Sequence, residues 1–197
     1  MSDNLKSVFS KIAQCSGIAL KEYIDKFCPG GISTLRFFSY GSNMNEEKFK
    51  EDTRQAGFEF GLVNVKKATL QGYKRILGNR SKRHGLAFTI CLSENDMTEG
   101  ICHDIPIAGL EAFLKKEGVL LDEPSYELLI VRVLEEETPV LTLKGLKPSN
   151  VDKLNREQML QAYCYLCKTL EGAKRWNVNC SDIMSMKENL HEKLIKD

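Results

Sequence analysis

The sequence predicts an α+β domain in which a curved sheet or small barrel is flanked by helices. Short runs rich in β-branched and aromatic residues occupy the middle of the chain, as expected of strands. Apolar residues recur at helical spacing at both ends of the chain. Helices gathered around a run of strands in this way are typical of the α+β class. A length of 197 residues provides one well-buried core, so we expect a single domain.

The N-terminal part of the chain predicts a helical extension. Apolar residues have helical spacing over residues 4–27, and Cys28-Pro29-Gly30-Gly31 stops the pattern. Residues 35–40 are rich in bulky and aromatic side chains and predict a strand that ends at Gly41. A helix over residues 44–56 follows.

Further strands are predicted between turn residues. Their positions are 61–66, 68–76, 86–92, 100–105, 126–134 and 139–143. A short helix over residues 107–116 lies between two of them. Helical patterns cover residues 151–170 and 182–195, and Gly172 and residues 177–179 mark the break.

These patterns divide the chain into three segments. We expect residues 1–33 to be a helical extension, residues 34–146 to form the domain with the sheet, and residues 147–197 to be a helical segment packed on the same domain. The extension could cover the sheet, form a homodimer contact or cap a partner.

Charge and composition narrow the class of partner. The chain has 28 basic and 27 acidic side chains, so nothing in its net charge attracts it to nucleic acid or to an anionic membrane. No stretch approaches the roughly 20 apolar residues that span a bilayer, and the N-terminus does not resemble a leader. Seven cysteines without framework spacing are typical of reduced thiols. We therefore expect a cytoplasmic protein that binds a small molecule.

One turn has the properties of a binding loop. Tyr40-Gly41-Ser42-Asn43 lies where a strand gives way to a helix, and free backbone N–H groups at such a place receive an anion or a polarised carbonyl. Gly41 permits a positive φ or a close ligand approach. Asn43 could cap the next helix, with Glu46 completing a capping box. A glycine turn with an asparagine cap also explains these residues without any ligand.

Several motifs in order resemble one family. Phe38-Ser39-Tyr40-Gly41-Ser42-Asn43-Met44 resembles the entry motif of gamma-glutamylcyclotransferases and their AIG2-like relatives. The resemblance extends over residues 35–143. Its later landmarks are Ala68 to Tyr73, Gly85 to Ile90, Glu99 to Ile105, Leu110 to Val119 and Tyr126. The resemblance implies a gamma-glutamylcyclotransferase-like fold, a mixed β-barrel flanked by helices.

The resemblance also implies a reaction. In that family the free α-amine of a gamma-glutamyl compound attacks the γ-carbonyl of the same molecule, which closes 5-oxoproline and releases an amine. Glu117 occupies the place of the family's acid and base, and no metal or organic cofactor is implied. The residues expected around the substrate are Tyr40, Gly41, Ser42, Asn43 and Tyr126. Because the nucleophile belongs to the substrate, the protein needs to fold the substrate and move protons.

A second class of function stays open. From Lys147 onward the sequence departs from the family pattern, and only Pro148-Ser149 is recognisable. That region often completes the family's substrate pocket, so the identity of the substrate is open. The alternative to the enzyme is a non-catalytic AIG2-like module that binds a small molecule or a protein.

Other reactive residues are given structural interpretations. Cys164 and Cys167 form a Cys-x-x-Cys inside a helical pattern, which favours buried core thiols over a metal site. His84 and His103 have no partner motif and receive no role. The basic cluster of Lys74, Arg75, Arg80, Lys82, Arg83 and His84 is interpreted as a solvated hairpin end, although it could attract an acidic substrate.

Overall fold

A computed structural model of the chain describes residues 20–27 and 33–196. The strands are β1 (Thr34–Ser39), β2 (Val63–Ser81), β3 (Gly85–Pro106), β4 (Tyr126–Val131) and β5 (Val140–Gly145). The α-helices are α1 (Leu20–Phe27), α2 (Glu46–Gln55), α3 (Leu110–Lys116), α4 (Arg156–Arg175) and α5 (Ser181–Lys196). Short 3-10 helices cover Ser42–Met44, Ile107–Gly109 and Val151–Lys153. None of the helices in the described ranges is long and apolar enough to cross a membrane.

The five strands form one mixed sheet in the order β2-β3-β1-β5-β4. β1 pairs with β3 in antiparallel register and with β5 in parallel, and the remaining neighbours are antiparallel. The α+β class predicted from the sequence is therefore confirmed. The sheet does not close into the predicted barrel, because within the described residues the edge strands β2 and β4 do not pair. Two single bridges, Leu70 to Val133 and Asn79 to Pro148, connect β2 to residues outside β4.

Four of the predicted strands are merged into two long ones. β2 and β3 contain 19 and 22 residues and form a hairpin whose pairing shifts register at three places. Gly72, at φ +79°, lies at one of these shifts. A bulge of this kind bends the strand and lets pairing continue on either side. The break predicted between residues 92 and 100 coincides with the register shift opposite Gly72, whereas the break predicted at Lys67 is wrong, because pairing with β3 is continuous there.

Helices cover both faces of the sheet. Phe88 and Ile90 of β3 share a core with Leu166 and Leu170 of α4 and with Ile183 of α5. A second core contains Phe37, Phe49, Phe113 and Leu128, and it includes Tyr23 of α1. Apolar burial on both faces therefore fixes the sheet against α4 and α5 on one side and against α2 and α3 on the other.

The N-terminal helix is described from Leu20 onward. Its Tyr23 is buried and donates a hydrogen bond of 2.6 Å to the carbonyl of Pro139, which ties α1 to the start of β5. The rest of the predicted extension, residues 1–19 and 28–32, lies outside the described residues.

A buried arginine connects the end of β1 to α5. Arg75 donates to the carbonyl of Tyr40 at 2.9 Å, and its other nitrogens form two bonds of 2.8 and 2.7 Å to the Asp182 carboxylate. Planar, bidentate pairs of this kind fix geometry well. The sequence placed Arg75 in a solvated basic cluster, which is wrong, because its side chain is 2% exposed and remote from the hairpin end.

Gly172 lies inside α4, although the sequence predicted a break there. The helix continues to Arg175, and the chain turns at Asn177, which has φ +53°. A Cβ atom added at Gly172 would lie 2.5 Å from the backbone nitrogen of Asn45 and the carbonyl carbon of Met44. The glycine therefore lets the helix backbone touch the turn that follows β1.

We expect Gly172→Ala to lower the free energy of unfolding by about 1 to 3 kcal/mol, because backbone atoms cannot move aside as a flexible side chain can. In an exposed helix the same change would stabilise by about 1 kcal/mol. Urea denaturation measures the difference. Gly61→Ala is the control, since nothing lies within 4 Å of its added Cβ. A Gly172→Ala protein as stable as the wild type would contradict the close packing.

Candidate active site

A cavity of about 1170 Å³ opens between the end of β1, the end of α3, the β2–β3 hairpin end and α4. All the residues that the sequence placed at the substrate lie in its wall, and they are Tyr40, Gly41, Ser42, Asn43, Glu117 and Tyr126. From α4 the wall receives Gln158, Gln161 and Tyr165. The segment that departs from the family pattern therefore does contribute to the cavity.

The turn after β1 is held by close packing. Gly41 has φ −128°, so the positive φ that the sequence allowed does not occur. The glycine is needed for space, because a Cβ there would come within 2.7 Å of the Tyr165 hydroxyl. Tyr165 in turn accepts a hydrogen bond of 3.1 Å from the backbone N–H of Phe88. This tyrosine was not predicted at the site, since only the fold of α4 over the turn brings it there.

The cap of α2 is Asn45. Its side chain accepts the backbone N–H of Lys48 at 3.0 Å, which satisfies one of the free donors at the helix start. The sequence assigned this role to Asn43, which is wrong, because Ser42–Met44 forms a 3-10 turn and the helix begins two residues later. The Asn43 side chain is consequently available to the cavity.

Glu117 comes directly after α3 and meets this asparagine. Asn43 Nδ2 donates to Glu117 Oε1 at 3.1 Å, and Lys116 Nζ donates to the same oxygen at 2.5 Å. The Glu117 side chain is 13% exposed. No hydrogen bond joins Oε2 to any residue in the described ranges. One oxygen of the carboxylate is thus fixed, and the other is free to meet a molecule in the cavity.

A buried carboxylate, Asp52, pairs with the lysine that contacts Glu117 and Asn43. Lys116 Nζ lies 3.2 Å from Asp52 Oδ2 and 3.1 Å from Asn43 Oδ1, and Lys48 also pairs with Asp52. Arg83 reaches Asp52 Oδ1 at 3.0 Å from the hairpin end.

The electrostatics of Asp52 follow from these contacts. Burial opposes its ionisation, but the three cations outweigh burial and hold the pKa of Asp52 well below its usual range. Asp52 is therefore ionised at neutral pH and pairs with Lys116, which also contacts Glu117. Sequence reasoning did not single out Lys116 or Asp52, because their partners come from separate elements.

Two buried tyrosines, Tyr40 and Tyr165, and the partly buried Tyr126 line the same cavity and stay neutral. Tyr40 donates to the carbonyl of Leu143 at 2.5 Å, and Tyr126 donates to the carbonyl of Phe88 at 3.1 Å. Burial is the main cause that raises the pKa of Tyr40 and of Tyr126 well above the ordinary value, and it raises the pKa of Tyr165 to about 12. At neutral pH these hydroxyls offer hydrogen bonds and no charge.

The end of the β2–β3 hairpin forms another wall. Arg80, Lys82, Arg83 and His84 all line the cavity. These four residues do lie at a hairpin end, as the sequence predicted. They face the cavity as well as solvent. Burial, followed by the charges of Lys48 and Arg83, lowers the pKa of His84 to about 4, so its imidazole is neutral at neutral pH.

Comparisons with known proteins identify the fold. No protein-family model matches the chain, and no curated protein sequence matches it. Among solved structures, YkqA from Bacillus subtilis matches with a TM-score of 0.63 at 18% identity over 86% of this chain. The chain spans 58% of the length of YkqA.

Two smaller solved proteins match over nearly their whole length. A gamma-glutamyl cyclotransferase has a TM-score of 0.57 at 18% identity, with 83% of this chain and 99% of that one covered. A gamma-glutamyl cyclotransferase specific to glutathione from yeast has a TM-score of 0.57 at 12% identity, with 82% and 97% covered. The chain has the gamma-glutamyl cyclotransferase fold. The resemblance found in the sequence is thereby confirmed at the level of fold.

The remaining reactive side chains lie elsewhere in this fold. Cys164 is exposed and Cys167 is partly exposed, so the prediction of buried thiols is wrong; the spacing of three places both on the outer side of α4. His103 is fully buried with Nε2 2.9 Å from Ser39 Oγ, and burial lowers its pKa to about 3. Among the described residues no three His, Cys, Asp or Glu side chains gather as metal ligands would.

The shielded His84 generates a pH dependence. Its pKa is about 4 in the folded protein and about 6.5 when unfolded, so the unfolded state binds the proton first as pH falls. Its contribution to stability is complete above pH 6.5 and is lost progressively toward pH 4. We expect this loss to be about 1 to 3 kcal/mol.

Urea denaturation across this pH range measures the effect. In His84→Gln the free energy of unfolding should fall less steeply with acid than in the wild type, whereas His191→Gln, on the exposed face of α5, should keep the wild-type slope. An unchanged slope in His84→Gln would show that the imidazole is not shielded.

Proposed function

We propose that the protein is a gamma-glutamylcyclotransferase-like enzyme that converts a gamma-glutamyl amino acid, amine or peptide to 5-oxoproline and releases the amine. The observation that carries the proposal is the contact of Asn43 Nδ2 with Glu117 Oε1 at 3.1 Å within one cavity. It joins the binding turn and the candidate base, which are 74 residues apart in the chain.

The proposed reaction begins at the substrate's own amine. Glu117 takes a proton from the α-ammonium group. The lone pair of the resulting amine nitrogen then attacks the γ-carbonyl carbon and closes a five-membered ring. The carbon–nitrogen bond to the leaving amine then breaks as Glu117 gives its proton to that nitrogen, and the ring nitrogen loses its second proton to the same carboxylate, which passes it to the released amine or to solvent. A positioned carboxylate of this kind accelerates proton transfer by about 10² to 10⁴-fold.

The turn would receive the negative groups of the substrate. The N–H groups of Met44 and Asn45 are bonded within the turn, to the carbonyls of Gly41 and Ser42. We assign the N–H groups of Gly41 and Asn43 to the oxyanion that develops on the γ-carbonyl, or to the α-carboxylate, since the N–H of Ser42 already faces the Tyr165 hydroxyl. Donors fixed in advance stabilise such charge without reorganising during the reaction.

The second candidate is a non-catalytic module that binds gamma-glutamyl compounds. It is favoured by the 2.5 Å ion pair of Lys116 with Glu117, since a carboxylate so paired can serve structure alone. In that case the cavity would bind the same ligand and release no product. Turnover separates the two candidates.

We expect purified protein to release 5-oxoproline from members of a panel of gamma-glutamyl amino acids, amines and peptides. Chromatographic detection of 5-oxoproline gives the readout. Folded protein that binds panel members but forms no product would favour the non-catalytic module. Absence of both binding and product across the panel would refute both candidates.

We further expect Glu117→Gln to lower kcat by at least about 10²-fold while KM changes little, since glutamine keeps the size of the side chain but cannot take the ammonium proton. Glu111→Gln is the matched control on α3, the helix that Glu117 follows, because Glu111 pairs with Lys115 and does not line the cavity. Equal losses in the two variants, or wild-type turnover in Glu117→Gln, would place the chemistry on another group.

A further inference from the structure

The charged residues in the cavity wall are unevenly distributed. Lys and Arg contribute six side chains, which are Lys48, Arg80, Lys82, Arg83, Lys116 and Lys147. Asp and Glu contribute three, which are Glu117, Asp122 and Glu123. The whole chain has nearly equal numbers of both signs, so the excess of positive charge is a property of the cavity. A cavity lined mainly by one sign concentrates ligands of the other.

Two of these cations have no partner among the residues that the structure describes. Lys48, Lys116 and Arg83 are held by Asp52 and Glu117, and Lys147 Nζ donates to the Glu123 carbonyl. The side chains of Arg80 and Lys82 make no ion pair or hydrogen bond with any residue in the ranges that the structure describes. Both lie at the same hairpin end. They can therefore give their full hydrogen-bonding capacity to a ligand.

The backbone that carries these two cations is anchored. Ser81 Oγ accepts the N–H groups of Arg83 and His84 at 3.3 and 3.2 Å, and the His84 ring packs against Tyr165 with centroids 5.0 Å apart. A Cβ at Gly85, which has φ +63°, would lie 2.3 Å from the carbonyl oxygen of Gln158. The hairpin end is thus packed directly on α4. Charged groups on a fixed backbone lose less freedom when they bind a ligand.

The behaviour of His84 agrees with a positive local potential. After burial, the charges of Lys48 and Arg83 are the next causes that lower its pKa. A position that disfavours a cation for electrostatic reasons favours an anion.

The cavity also has room beyond the gamma-glutamyl group. Its volume of about 1170 Å³ exceeds the range of about 300 to 1,000 Å³ that is typical of small-molecule sites. Glu117 and the turn at residues 40–43 occupy one side, and the hairpin end occupies another. The leaving part of the substrate can therefore extend along the hairpin end.

From these observations we infer that Arg80 and Lys82 form a subsite for a negatively charged leaving group, so that the preferred substrate is a gamma-glutamyl compound whose released amino acid carries an acidic side chain. The inference rests on the proposed function for its chemistry, and the subsite itself is a binding property. The leaving amino acid would place its side-chain carboxylate against the hairpin end.

Two dipeptides of nearly equal size test the subsite. Gamma-glutamylglutamate and gamma-glutamylglutamine differ only in the side chain of the leaving amino acid, which ends in a carboxylate in the first and in an amide in the second. We expect kcat/KM to be about tenfold higher for gamma-glutamylglutamate, the scale of two partly exposed ion pairs. The ratio should approach one when salt is raised from about 0.1 M to about 1 M, because screening shortens the range of surface charges. Equal kcat/KM values at low salt would overturn the inference.

Variants locate the preference in the chain. In the double variant Arg80→Gln with Lys82→Gln we expect the ratio to fall to about one. Lys74→Gln is the matched control, since Lys74 is an exposed cation on the same strand that does not line the cavity. A double variant that keeps the tenfold preference, or a control that loses it, would overturn the assignment to these two residues.

Binding separates this inference from the proposed function. Calorimetry of both dipeptides with wild-type protein and with Glu117→Gln measures affinity whether or not product forms. Preferential binding of gamma-glutamylglutamate, lost in the double variant, without any 5-oxoproline would support the subsite and refute the enzyme. Turnover of both dipeptides with no preference in affinity or in kcat/KM would support the enzyme and overturn the subsite.

Discussion

The approach of helix α4 to the turn after β1 is the constraint on which the site depends. Gly172 lets the helix backbone meet Asn45, and Gly41 lets the Tyr165 hydroxyl reach the turn. Trp176 Nε1 adds a hydrogen bond of 2.9 Å to the carbonyl of Met44. Because interiors are close-packed, a side chain at either glycine would displace the turn. The position of Asn43, and with it the position of Glu117, follows from this packing.

Charge performs the second part of the positioning. Asp52 is buried between Lys48, Lys116 and Arg83, which come from α2, from α3 and from the hairpin end. Removing one member would leave a buried charge without its partner, and this is costly in a low-dielectric interior. The network therefore couples three elements around Glu117. The same network leaves Arg80 and Lys82 outside it, which is why the hairpin end both supports the carboxylate and presents cations to the cavity.

The sequence predicted the local parts of this arrangement and missed those that depend on tertiary contact. The turn at residues 40–43 and Glu117 were predicted at one site because motifs in order carry that information, and the structure brings them to one cavity. No local sequence pattern predicts that Tyr165 and Asp52 belong to the site, since each contacts residues that are remote in sequence. The glycine at 172 was interpreted as a helix break because its partner, the turn, cannot be seen from α4 alone. The fold is shared with solved proteins at 12 to 18% identity, so only particular side chains can carry the argument about activity.

The geometry of Glu117 bears on whether one carboxylate can perform both proton transfers. Oε1 is held by Asn43 and Lys116, which leaves Oε2 as the oxygen available to the substrate. In the proposed reaction the attacking and leaving nitrogens are bonded to the same tetrahedral carbon, so they lie about 2.4 Å apart, given carbon–nitrogen bonds of about 1.45 Å. A single oxygen can therefore reach both nitrogens in turn without rotation of the carboxylate. Fixing Oε1 therefore does not hinder the reaction, because in an intramolecular attack the nitrogen that gives up a proton and the nitrogen that receives one lie next to each other.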